Sequence, residues 1–433
     1  MKKFIFVLMG LLASAAFAPQ VLALPAFARQ TGMECNACHQ QHFPVLNSFG
    51  RVFKAGGYTM MGAQPAVEGE YLSIPDTLNL AILAKVRYQK DNSARVDTKL
   101  NPAGPGDGQL QFGDEFSLFV GGRVADNVGV LLEGNTVSSG SLLAGVRLPI
   151  IHDVGGVNVS VIPFTTDALG VQYGYELSSG GVMRANRWAE HRREISAIQY
   201  NADRGGDGGA ATGVALVAQN ELGFINLTKF SPSFAPGGNG GKIDSANIGT
   251  NTYVRAALTP NVADWFLVMG GGVMSGIGYS NIAAMANAAS TPPGSAPVDI
   301  ETRQTFFDLQ AHGEVAGMAL GIYLQNAIAP ATWDSTGTVN NNAYNTGTAD
   351  RRATTIGADL TVVPHALSVG AAFRKANNGK GKASGVDTDN AATLTAVYDL
   401  KQNVALHWNY SKYSGSANAA NPYLYTLMLE VAW

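Results

Sequence analysis

The chain has 433 residues with 29 basic and 32 acidic side chains, a net charge of −3, which argues against nucleic acid because phosphate-binding domains carry a basic excess. Charged residues make up 14%, against about 25% in an ordinary soluble domain. The mean hydropathy of +0.04 is too low for several apolar membrane helices of about 20 residues each.

Met1-Lys2-Lys3 is a positive n-region, Phe4 to Ala18 a short apolar run, and Val21-Leu22-Ala23 a small-residue cleavage site. Residues 1–23 therefore read as a signal peptide rather than an uncleaved anchor. A mature chain from Leu24 leaves the bacterial cytoplasm for a compartment where c-type haem can be attached.

Residues 24–75 contain both cysteines, in Cys35-Asn36-Ala37-Cys38-His39. In an exported protein, C-x-x-C-H reads as covalent haem attachment, with two thioethers from Cys35 and Cys38 and iron ligation by His39. A disulfide or half of a zinc site are the alternatives, but zinc normally wants four well-spread ligands. Pro44 is expected to open a helix in which Leu46, Phe49, Val52 and Phe53 share an apolar face. That face suits either a porphyrin or the packing of a small helix. Gly56-Gly57 should end the helix. His39 and His42 lie three apart on what reads as one helix and cannot reach opposite faces of one haem. Met60 and Met61, beyond the turn, are candidates for the distal ligand, or they only fill apolar gaps. Arg29, Arg51 and Lys54 are candidates for pairing with haem propionates, with solvated surface charge as the plainer reading. A segment of this size leaves a porphyrin exposed unless something covers it, so it is expected to plug or cap a larger structure.

From residue 76 to 433 the dominant pattern is period-two alternation. Ile82, Ala84, Val86 and Tyr88 oppose Lys85 and Arg87, and Val404, Leu406, Trp408 and Tyr410 oppose Asn403, His407 and Asn409. Alternation alone does not separate a soluble sandwich from a membrane barrel. Three other features choose the barrel: short connections alternating with long polar ones, aromatics near strand ends, and a last strand ending on Trp433. Tight turns are expected at Thr259-Pro260-Asn261, Gly313-Glu314-Val315 and Val363-Pro364-His365. The uncharged stretch between Asp264 and Asp299 reads as a glycine-rich strand running into a polar loop. His312 and His407 should face the lumen. Glu190-His191-Arg192-Arg193-Glu194 has ligand-type residues, but its arginines would repel a cation. The expected fold class is thus an all-β membrane protein, an outer-membrane antiparallel β-barrel. Seventeen or eighteen candidate strands can be marked, and even numbers are the rule in such barrels, so 16 or 18 strands are expected.

The run from Pro25 to Gly32, the C-x-x-C-H motif, His42-Phe43-Pro44, and Phe49-Gly50-Arg51 through Lys54, Gly56, Gly57 and Tyr58 resemble the fused cytochrome–porins of iron-oxidising bacteria. The match covers about 35 residues; the rest of the resemblance is architectural. It implies one covalent haem c on Cys35, Cys38 and His39, a 16-stranded barrel, and an oxidoreductase that oxidises extracellular Fe(II). Electrons would pass one at a time to a periplasmic c-type cytochrome. An outward-directed reductase and a porin with a haem gate or sensor are the rival readings.

Overall fold

A computed structural model describes residues 25–40, 45–62, 64–92, 106, 108–136, 142–177, 196–201, 209–235, 247–280, 298–331, 342–418 and 422–433. The signal peptide, His42, Phe43, Pro44 and the Glu190 to Glu194 cluster lie outside these residues.

Eighteen strand segments close into one barrel. They form sixteen antiparallel staves, because two staves are each built from two segments with shared neighbours. In chain order the first staves are β1 Leu80–Asp91, β2 Gln109–Ala125, β3 Val128–Asn135, and β4, which is Leu143–Arg147 continued by Ile150–Val154. Next come β5 Val157–Thr166, β6 Ala211–Asn220, β7 Gly223–Ser231, and β8, which is Asn251–Leu258 continued by Asn261–Val262. The remainder are β9 Trp265–Ser275, β10 Gln304–Val315, β11 Met318–Ala329, β12 Arg351–Val363, β13 Leu367–Asn378, β14 Asn390–Lys401, β15 Val404–Ser414 and β16 Tyr423–Ala432. The two breaks fall at Leu148-Pro149 and Thr259-Pro260, where proline cannot donate to the ladder. Beyond each break the chain rejoins the same sheet, which is why eighteen segments make sixteen staves.

The alternation resolves in the membrane sense. On β12, Arg351, Thr355, Asp359 and Thr361 are buried in the lumen while Ile356 and Val362 stand exposed. On β1, Lys85 and Arg87 point inward and Tyr88 outward. A soluble sandwich would invert this arrangement. No described helix is long and apolar enough to cross a membrane. Closure is completed by β16 pairing with β1, with Trp433 and Ile82 exchanging backbone hydrogen bonds of 2.8 and 3.0 Å.

Short turns of two or three residues join β2 to β3, β4 to β5, and each later even stave to its successor. All the long connections lie at the other end. Both the start of β1 and Trp433 lie at the short-turn end, the periplasmic side of such barrels. Two of the turns are not where their sequence suggests. Thr259-Pro260 interrupts β8, and the reversal comes at Ala263-Asp264; Gly313 to Val315 stay in strand, and the reversal is Ala316-Gly317. Ala263 and Ala316 both sit at φ 52°, a left-handed conformation that alanine does not advertise. The turn at Val363-Pro364-His365 is where expected, with His365 at φ 58°.

Ahead of the barrel lie α1 (Pro25–Thr31), α2 (Cys35–Cys38), α3 (Ser48–Ala55) and a small hairpin, Ala66–Gly69 with Leu72–Pro75. The helix expected from Pro44 instead starts at Ser48, because the Asn47 side chain accepts from the Gly50 amide at 2.9 Å as an N-cap. A second hairpin, Ile277–Ser280 with Val298–Glu301, continues from the glycine-rich β9.

Candidate functional site

The N-terminal segment sits inside the barrel at its short-turn end. Gln30 anchors it. Its Nε2 donates to the Tyr58 and Met60 carbonyls at 2.6 and 2.8 Å, while its Oε1 accepts from the Arg123 amide of β2 and from Asn79 at 3.1 and 3.2 Å. A buried amide with all these partners satisfied fixes α1, the 58–60 turn and the start of the wall against one another. Tyr58 stacks on Phe27 at 4.8 Å, and Phe53 meets both rings edge-on. The Tyr58 hydroxyl accepts from Arg147 of β4. Gly57, at φ 65°, lies over the Pro149 break, and its carbonyl approaches Gly129 too closely for any side chain there. The aperiodic break in β4 is therefore the seat of the segment's turn.

On this base α2 presents the C-x-x-C-H run. Cys35 is buried and Cys38 half-buried, both as free thiols, and burial pushes both above the ordinary thiol range. Asn36 reaches His365 in the β12–β13 turn at 3.3 Å, which puts the motif at the periplasmic rim. The helix stops at Cys38, and His39 is extended, so His39 does not continue the helix of the two cysteines. Nδ1 of His39 lies 3.2 Å from the Val45 carbonyl. A carbonyl only accepts, so this contact puts the proton on Nδ1 of the neutral ring and the lone pair on Nε2. Such a second contact orients metal-ligating imidazoles. Gly50 of α3 packs directly against the Cys38 carbonyl, with no space for a Cβ.

The other residues singled out by sequence divide into two groups. Phe49 and Val52 are exposed on α3, Leu46 is half-buried, and Phe53 is turned away into the trio with Phe27 and Tyr58. Met60 is 36% exposed beside α1 and Met61 is half-buried. Arg29 donates to the Leu80 carbonyl at the start of β1. Arg51 is buried, donating to the Leu46 carbonyl at 3.0 Å and to Gln310 of β10 at 2.8 Å, while its Nη1 has no partner among the described residues. Burial lowers the Arg51 pKa to about 10. Lys54 is half-buried, and burial followed by the neighbouring Arg147 holds its ammonium well below the usual range.

These residues fit a covalent haem. Two thiols one helical turn apart, an imidazole oriented through Nδ1, and exposed apolar groups on the adjoining helix are the donor set and the contact surface it requires. Among the described residues no three His, Cys, Asp or Glu side chains converge as a metal-ion site.

Deeper in the lumen lies an ion network that the sequence did not mark. Arg255 of β8 binds Asp308 of β10 through two hydrogen bonds of 2.7 and 3.2 Å, and Glu176 at 2.7 Å. Gln310 bridges Asp308 to Arg51. Glu176 comes from the β5–β6 connection, whose residues 169–177 fold into the lumen, with Val171, Tyr173, Tyr175 and Leu177 buried. The same connection contributes α4 (Ala197–Asn201), which lies against β11 and β12. There Tyr200 is held between Arg351 and Arg374, 4.4 and 4.1 Å from its ring centre, and donates to Asp389 at 3.0 Å. Charged residues at inward positions, such as Arg255 and Asp308, were the only sequence trace of this network. His312 and His407 also face the lumen, and His312 lies 3.1 Å from the Tyr323 hydroxyl.

No protein-family model and no curated protein matches the chain. Among solved structures it is similar to OprB of Pseudomonas putida, with a TM-score of 0.52 at 10% identity, covering 82% of this chain and 93% of that one. It also matches OmpT of Vibrio cholerae lacking loop L8 (TM-score 0.48, 12% identity, 82% of this chain and 99% of that one). A third match is the outer membrane channel DcaP of Acinetobacter baumannii (TM-score 0.46, 9% identity, 85% and 99%). The chain is an outer-membrane β-barrel with a porin-like fold.

Proposed function

We propose that this barrel is a one-electron oxidoreductase of the outer membrane, taking electrons from extracellular Fe(II) and delivering them to a periplasmic c-type cytochrome. The observation that carries the reading is the C-x-x-C-H run, anchored inside the barrel with His39 oriented through Nδ1. Cys35 and Cys38 would hold haem c covalently, and His39 would supply an axial nitrogen. Haem c, when bound, supplies a one-electron carrier whose potential follows axial ligation and burial.

The chain's own residues do the rest. Gln30, Tyr58 and Arg51 fix the segment to the wall, so that the motif keeps one position. Residues 169–177 and α4 occupy the lumen, which favours passage of an electron over passage of a solute. Each Fe(II) gives one electron and each acceptor takes one, so no atom need cross. Ferric products are insoluble near neutral pH, and oxidation at the outer face keeps mineral out of the cell. At the periplasmic end, Asp126, Asp153, Glu221, Asp264 and Glu314 stand at or beside successive turns around the motif. Such a negative rim favours encounter with a basic carrier.

The test mixes oxidised protein with Fe(II) anaerobically near neutral pH and follows the visible absorption bands. Reduction by Fe(II), followed by reoxidation on adding a periplasmic cytochrome, is the expected result. A spectrum that stays oxidised while dithionite reduces it fully sinks the reading.

A further inference from the structure

The outer ends of neighbouring staves carry cations on their lipid-facing side. Lys90 on β1, Arg352 on β12, Lys375 on β13 and Lys412 on β15 all lie within three residues of the long-loop end of their strand, and all are exposed. Because β16 pairs with β1, these four belong to one run of six consecutive staves. At about 4.8 Å between strands, that is roughly 24 Å of wall. Lys380 and Lys382 stand exposed in the β13–β14 connection directly above.

Three of these cations have no counter-charge among the described residues. Arg352 pairs with Asp350 at 2.7 Å. Lys90, Lys375 and Lys412 make no hydrogen bond or ion pair among the described residues. Asp387, in the connection above, is engaged by Ser416 and Asn377, and Asp91, next to Lys90 at the end of β1, has an interaction of its own. A second observation marks the level at which headgroups meet this wall. On the same face, Tyr410, Tyr423 and Tyr425 form a cluster with ring centres 4.8 to 6.5 Å apart. In register, Tyr425 lies opposite Lys90 and Tyr423 opposite Lys412. Interfacial tyrosines of this kind sit where acyl chains end. The lysines are therefore at headgroup depth, where cations without protein partners attract anionic lipid.

We propose that the outer rim from β12 round to β1 is a binding surface for the phosphate-bearing headgroups of the outer-leaflet glycolipid. Its contacts without a partner among the described residues are Lys90, Lys375 and Lys412, with Lys380 and Lys382 exposed in the loop above. The proposal rests on the barrel and its orientation alone and stands apart from the haem reading.

The test uses the full-length protein in detergent and measures binding of diphosphoryl lipid A by native mass spectrometry. Dephosphorylated lipid A and inorganic phosphate are the comparison probes. Wild type should bind the diphosphoryl form at least tenfold more tightly than the dephosphorylated form. The K90Q/K375Q/K412Q variant should lose about tenfold or more of that affinity, with heat-modifiable migration confirming that its barrel is intact. Millimolar inorganic phosphate should not displace the lipid. Equal binding of the two lipid forms by wild type would overturn the proposal, whatever the variant does. Retained affinity in the folded variant, or displacement by inorganic phosphate, would also overturn it.

Discussion

Arg51 of α3 donates to Gln310 of β10 at 2.8 Å, joining groups 259 positions apart in the chain. Both side chains are buried, and Gln310 passes the contact on to Asp308 and so to Arg255 and Glu176. The N-terminal segment, the wall and the infolded connection are thus tied through one polar chain. Replacing Gln310 with Leu removes a neutral acceptor from a buried guanidinium, a loss of about 1.5–3 kcal/mol. The expected outcome is a segment that undocks more often, so that trypsin cleaves after Arg51 or Lys54 at least tenfold faster while the barrel keeps its heat-modifiable migration. Unchanged cleavage would mean that the contact does not hold the segment.

Gly50 gives a sharper test of the same seat. A methyl group there would enter the Cys38 carbonyl, which is backbone and cannot step aside. Gly50→Ala should separate α3 from the C-x-x-C-H run and disturb His39, whose Val45 contact lies in the same turn. Covalent haem should fall several-fold in the purified protein, with normal barrel assembly. A Ser48→Ala control at an exposed position should leave it unchanged.

Much of the wall was legible in the sequence, because lipid outside and polar groups inside impose an alternation that survives in each strand. The stave count was harder. Pro149 and Pro260 break the ladder locally, so each divided stave reads as two strands. The turns at Ala263-Asp264 and Ala316-Gly317 were obscured because alanine occupies a left-handed position normally signalled by Gly or Asn. Cys35, Cys38 and His39 were legible as a motif because they are contiguous in the chain, with both cysteines on one short helix and His39 at its end. The roles of Gln30, Tyr58 and Arg147 were not, because each depends on partners brought together only when the barrel closes.

Covalent attachment has its own measurement. The wild-type protein should keep a visible haem band through denaturing electrophoresis, and Cys35→Ala with Cys38→Ala should lose it. His39→Ala should alter the spectrum and lower activity with Fe(II) while leaving the outer-membrane fraction unchanged. Replacing Met60 and Met61 separately with Ala should, in one case, lower the potential and remove any long-wavelength sulfur-to-iron band. If neither change has an effect, the distal position belongs to another side chain. Colour that extracts into acidic organic solvent from wild type would sink the covalent assignment altogether.

The filled lumen leads to the last expectation. The Tyr173 hydroxyl has no partner among the described residues, yet the Tyr173 carbonyl accepts from Arg147 at 2.9 Å, and Glu176 is bound by Arg255 at 2.7 Å. Residues 169–177 are therefore held in the interior by two arginines a quarter of the barrel apart, on β4 and β8. At the outer side Tyr200 is fixed between Arg351 and Arg374. Removing either partner of a buried ion pair is strongly destabilising, about 3–5 kcal/mol, so thermal opening of this closure should be rare. In planar bilayers the wild-type protein should conduct ions far less than an open barrel of sixteen staves. Replacing residues 167–209 with a short turn should raise the conductance at least tenfold while the barrel still assembles. Arg255→Leu, which strands Asp308 and Glu176, should give intermittent openings. High and steady conductance from the wild type would instead favour a passive channel, and the electron-conduit reading would lose the support of its closed interior.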